Sequence, residues 1–99
     1  MAGADRILGR SKILIVDDVE TNRMILEDII SDMGCQTVLA ESGVEALKLF
    51  YEVHPSLVLT DISMPPMDGY ELCRILKADP QSREIPVIFI SAFDDPKDI

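Results

Sequence analysis

Four short apolar runs alternate with longer stretches in which apolar residues recur every three or four positions. The first run, Lys12-Ile13-Leu14-Ile15-Val16-Asp17, is nearly continuous, as expected of a strand covered on both faces. A helix is predicted next, over about Glu20 to Met33. Ile25, Leu26, Ile29 and Met33 form its apolar stripe, Glu27, Asp28 and Asp32 lie off it, and Gly34 is the stop. Gln36 to Ala40 reads as a second strand. Ser42-Gly43-Val44-Glu45 has the form of a capping box that opens a second helix. That helix is expected to bury Val44, Leu47 and Phe50 or Tyr51, and to end before His54-Pro55. Leu57 to Asp61 is the third strand. Two prolines bar a helix from Ile62 to Asp68, so this segment is a loop. Asp68 then caps a third helix running to about Ala78, with Leu72, Ile75 and Leu76 inward. Pro86 to Ser91 is the fourth strand, and a further helix begins near Asp94-Asp95-Pro96.

The predicted fold is therefore α/β: a doubly wound parallel sheet with helices on both faces. The pattern ends at Ile99 inside a predicted helix and leaves the fourth strand as an apolar edge. A final βα unit is thus expected to be absent from this chain.

Strand ends decide the chemistry. Asp17-Asp18 and Asp61 each follow an apolar run, and in an open parallel sheet the C-terminal strand ends line the ligand crevice. If the first and third strands are neighbours, three carboxylates meet. Two unit charges about 4 Å apart repel by roughly 4 kcal/mol at an effective dielectric of about 20. Such a cluster needs a cation or must take up protons. A hard divalent ion with oxygen ligands, Mg2+ above all, is the expected partner.

Composition narrows the classes. A chain of 99 residues, 47% hydrophobic, suits one small packed domain. The net charge of −9 disfavours direct nucleic-acid binding and anionic membranes. No apolar stretch approaches the roughly 20 residues of a membrane span. Residues 1–11 lack the apolar centre of a secretory signal and read as a flexible N-terminal tail. Cys35, Cys73 and His54 form no metal-ligand spacing, so two reduced, largely buried thiols and a surface histidine are expected.

Together, the upstream Asp17-Asp18 pair, the run Asp61-x-x-Met64-Pro65-x-Met67-Asp68-Gly69 and the Ser91-Ala92 pair resemble the receiver domain of two-component response regulators. The resemblance covers residues 12–99 and implies the flavodoxin-like strand order 2-1-3-4(-5). It implies that Asp61 is the phosphoacceptor. It implies Mg2+ held by Asp17, Asp18, Asp61 and the backbone carbonyl of Ser63, with Asp17 acting through a bound water. Ser91 and the backbone N–H groups of Ile62 and Ala92 would meet the phosphoryl oxygens. The implied partner is a sensor histidine kinase or histidine phosphotransfer protein in the cytoplasm. An output domain after the receiver and a homodimer are both compatible with the family. Beyond its own phosphorylation and dephosphorylation, such a domain is not an enzyme. The family's lysine on strand five has no counterpart here: Lys12, Lys48, Lys77 and Lys97 do not follow an apolar strand.

Plainer readings compete. Asp17 and Asp18 could simply cap the first helix, Ser91 could end a strand, and Met64 and Met67 could pack the loop. A receiver-like binding module without phosphotransfer is the main functional alternative. A Mg2+-dependent phosphohydrolase with an Asp nucleophile fits less well. Enzymes resembling the haloacid dehalogenase group carry a second acid two residues on, where this chain has Ser63.

Overall fold

The computed structural model describes residues 11–90. Four strands and three helices alternate: β1 (Lys12–Val16), α1 (Glu20–Asp32), β2 (Gln36–Ala40), α2 (Gly43–Val53), β3 (Leu57–Asp61), α3 (Gly69–Ala78) and β4 (Val87–Ile90). The strands form one parallel sheet in the order β2-β1-β3-β4. The expected doubly wound, flavodoxin-like arrangement is thus present through β4. The fourth strand is expected to reach Ser91. That residue, Ala92, the helix start near Asp94 and tail residues 1–10 lie outside the described residues.

Alternation along β1 builds two cores. Leu14 and Val16 join Val58, Ala46, Phe50, Met64, Leu72 and Leu76 on the face covered by α2 and α3. Ile13 and Ile15 join Leu59 on the other face, against Leu26 and Ile30 of α1. Both faces of the central strands are covered, which is why their sequences are continuous rather than alternating.

Helix ends follow the local chemistry. Ser42 accepts a hydrogen bond from the Glu45 N–H, but the Glu45 carboxylate reaches back to the N–H of Glu41, not of Ser42. Asp68 caps α3 through the Glu71 N–H at 2.8 Å. Gly34 takes a φ of 89°, a left-handed turn that suits glycine after α1. His54 is exposed, as expected, and ends α2 with a φ of 52°. Both cysteines are free but only half buried.

Three packing expectations need correction. In α1, Ile25, Ile29 and Met33 are 40%, 52% and 57% exposed; the inward stripe is Asn22, Leu26 and Ile30. Two apolar stripes lie side by side on this helix, and its position over β1 and β2 selects the other one. In α2, Val44 is 63% exposed because Gly43, Ala46 and Phe50 face the sheet. Tyr51 also lies outward and donates to Asp79 at 2.6 Å. In α3, Leu72 and Leu76 are buried while Ile75 is exposed. No described helix is long and apolar enough to cross a membrane.

Candidate metal and phosphoacceptor site

Strand register builds the site. Val16 of β1 is paired with Thr60 of β3. The next residue on each strand is an aspartate, so Asp17 and Asp61 emerge together at the C-terminal edge of the sheet. Asp18 follows in the loop that leads to α1. One carboxylate oxygen from each of Asp17, Asp18 and Asp61 lies within 4.8 Å of the others. Asp17 and Asp61 are 3% and 4% exposed, whereas Asp18 is exposed.

Each buried carboxylate is partly compensated. Asp17 accepts from the Val19 N–H at 2.8 Å and from the Asn22 side chain. Asp61 accepts from the Ile62 N–H at 2.8 Å and from the Ser63 N–H. Burial nevertheless raises both pKa values. At Asp61 the charge of Asp17 is the next contribution, and at Asp17 a smaller one comes from Asp18. Hydrogen bonds to the charged forms oppose these shifts without cancelling them. Three hard oxygen donors under this electrostatic load fit a divalent cation such as Mg2+. The plainer capping role is not what the structure shows: the N-cap of α1 is Val19, with no side-chain cap.

Ile62 and Ser63 follow Asp61 directly, and their N–H groups turn back onto its carboxylate. Gly69 is the close-approach point. Its N–H donates to the Ile62 carbonyl at 2.8 Å, and a Cβ there would collide with the Asp61 carbonyl. Met67 packs on Gly43, where a Cβ would lie 2.6 Å from the Met67 sulfur. The loop after β3 is thereby seated on the start of α2. Met64 is buried in the core, the packing role expected of it. An open cleft of about 320 Å³ is lined by the loop residues 62–66 with Asp68 and Tyr70, and by none of the three aspartates. Among the described lysines, Lys12 begins β1, at the sheet end opposite the aspartates, and Lys77 donates to the carbonyls of Arg83 and Ile85.

Sequence reasoning missed Asn22 and Arg23. Arg23 Nη1 donates to the Asp17 carbonyl oxygen at 2.7 Å, and Nη2 lies 3.6 Å from a Glu41 carboxylate oxygen. One signal was available: Arg23 is the sole basic residue of α1, amid Glu20, Glu27, Asp28 and Asp32.

Comparison with known proteins agrees with this architecture. Residues 13–99 match the family model for the response regulator receiver domain. The polar-differentiation response regulator DivK of Brucella ovis is 43% identical over 81 residues, which are 82% of this chain and 66% of that protein. The chain thus spans about two thirds of the length of such relatives. The receiver domain of a signal transduction histidine kinase from Syntrophus aciditrophicus superposes with a TM-score of 0.79 at 42% identity, covering 89% of this chain and 67% of that one. The N-terminal domain of a response regulator receiver protein from Methanoculleus marisnigri JR1 gives 0.78 at 36% identity, covering 87% and 71%. Strand order, acidic strand ends and these likenesses agree, and the chain belongs to the response regulator receiver domain family of two-component signalling.

Proposed function

We propose that this domain accepts a phosphoryl group on Asp61 from the histidine of a cytoplasmic sensor kinase or phosphotransfer protein, with Mg2+ in the acidic pocket. The observation that carries the reading is the convergence of the Asp17, Asp18 and Asp61 carboxylates at the ends of two adjacent strands. These three residues would hold the ion, together with the Ser63 carbonyl. When bound, Mg2+ neutralises charge on the transferring phosphoryl oxygens and on the pocket.

The remaining work belongs to the chain. An Asp61 carboxylate oxygen forms the new O–P bond while the P–N bond to the donor imidazole breaks. The imidazole leaves with that electron pair and is neutral if its other nitrogen carries a proton. Asp17 and Asp18 keep the pocket negative enough to retain the cation. The Ile62 N–H, now on Asp61 Oδ1, would transfer to a phosphoryl oxygen. Ser91 and the Ala92 N–H are assigned the other oxygens. The added charge sits at a fixed point beside the loop after β3, where local electrostatics bias partner or output contacts.

Incubation of the full-length protein with acetyl phosphate and Mg2+, followed by intact-mass and peptide analysis, tests this reading. One added phosphoryl group on Asp61 is expected, and none when EDTA replaces Mg2+ from the start or in Asp61→Asn. No mass gain, or a gain elsewhere, would favour a binding module without phosphotransfer.

A further inference from the structure

Arg23 has no part in the phosphotransfer chemistry, yet it is tightly placed. Its side chain is only 12% exposed, in a helix whose other charged residues are all acidic. Asp17 lies one residue past the last registered pair of β1 with β3. Its N–H still donates to Ala40 of β2 at 3.1 Å, but its carbonyl needs a donor from elsewhere. Arg23 supplies that donor at 2.7 Å. The other arm of the guanidinium faces Glu41, the residue directly after β2. The Asp17 main chain is thus braced twice against the end of β2: through Ala40, and through Arg23 and Glu41. The Asp17 carboxylate, held by Val19 and Asn22, extends from this braced peptide into the pocket.

We propose that Arg23 is a positioning residue of the acidic pocket: its guanidinium braces the Asp17 peptide against the loop after β2 and so holds the Asp17 carboxylate in place for a divalent cation. This rests on the proposed Mg2+ site. Two effects oppose each other. A positive charge near a cation site repels the cation, so deleting the charge alone strengthens binding. Deleting the brace frees the Asp17 peptide and weakens binding. The brace dominates, because the Asp17 carboxylate, directly or through a bound water, has to fit a Mg2+ shell that tolerates little departure from octahedral geometry. Losing an outer partner of a metal ligand costs about 10-fold or more in affinity.

The test is a Mg2+ titration of the full-length protein and its Arg23→Met and Arg23→Lys variants, followed by backbone amide NMR at constant ionic strength. Metal-free spectra and thermal midpoints are recorded alongside. Arg23→Met is expected to bind Mg2+ about tenfold more weakly and to shift the Val19 amide before any metal is added. Arg23→Lys, which keeps the charge and one donor, recovers part of the affinity. A role in folding alone lowers the thermal midpoint but leaves the Mg2+ affinity of the folded protein unchanged, and that result overturns the proposal. Equal or tighter binding by Arg23→Met overturns it too, while leaving the proposed function standing. If Arg23→Met does not fold, Arg23→Lys decides: unchanged affinity refutes the brace and weaker affinity supports it. Wild-type protein that takes up no Mg2+ sinks both readings together.

Discussion

At Asp61 the demands of folding and of chemistry oppose each other. The carboxylate is buried beside Asp17, which disfavours its charged form, while two backbone N–H groups favour it. Asp61→Asn removes the charge and is expected to raise metal-free stability by about 1 kcal/mol, in line with other strained functional sites, while abolishing phosphorylation. Thermal melts in EDTA check the first effect. The pH dependence has a definite sign. Burial raises the pKa of both Asp17 and Asp61, so the folded state binds their protons more readily than the unfolded chain. Their contribution to metal-free stability is complete below the ordinary aspartate range and is lost as pH rises through the raised values. Mg2+ requires the ionised forms, so its stabilising effect should appear above those values and vanish below them. Melts across pH, with and without Mg2+, should diverge in that window and coincide beneath it. Gly69 sets a geometric limit on the same residue. Gly69→Ala places a methyl group against the Asp61 carbonyl and the Ile62 Cα. It should cost about 1–3 kcal/mol in denaturant unfolding and weaken Mg2+ binding as the strand end shifts. The aspartates were legible in the sequence because a charge directly after a buried strand is costly unless a cation or a hydrogen-bond donor compensates it. Asn22 and the contact of Gly69 with Asp61 were not legible, because each acts through a turn whose geometry only the fold supplies; Arg23 stood out as the one basic residue of α1, but its contact with the Asp17 carbonyl did not.

Among the elements, strands were easier to read than helix faces. A continuous apolar run has only one arrangement in a parallel sheet, with both faces covered, and β1 and β3 follow it. Helices α1, α2 and α3 each carry apolar residues over more than one stripe, so periodicity fixed their existence but not their rotation. Ile25, Val44 and Ile75 were expected inward and lie outward, while Asn22, a polar residue, is buried. Asn22 faces the sheet because it bonds to Asp17, a tertiary demand that hydrophobic spacing does not encode. The rotation of α3 is directly testable. Leu72→Ala should cost about 2–5 kcal/mol as a fully buried truncation. Ile75→Ala, on the exposed side, should cost under about 1 kcal/mol. Equal losses in urea unfolding would mean that α3 is turned differently on the sheet.

For the molecule as a whole, parallel topology is what turns distant residues into one site. Right-handed crossovers return each strand in the same direction, so the ends of β1 and β3 meet although 44 positions separate Asp17 from Asp61. Strand order 2-1-3-4 puts those two strands at the centre, where helices cover both faces and raise the cost of uncompensated charge. Ligation there couples to global stability: at ten times its dissociation constant, Mg2+ should add about 1.4 kcal/mol, beyond what NaCl of equal ionic strength gives. The central spatial claim is that Asp17, Asp18 and Asp61 share one ion, and diffraction tests it most directly. In crystals of the full-length protein grown with Mn2+ in place of Mg2+, an anomalous difference map should show one peak among these three side chains, beside the Ser63 carbonyl. An ordered pocket with no peak, or a peak bound elsewhere while the three carboxylates stay unligated, would contradict the account.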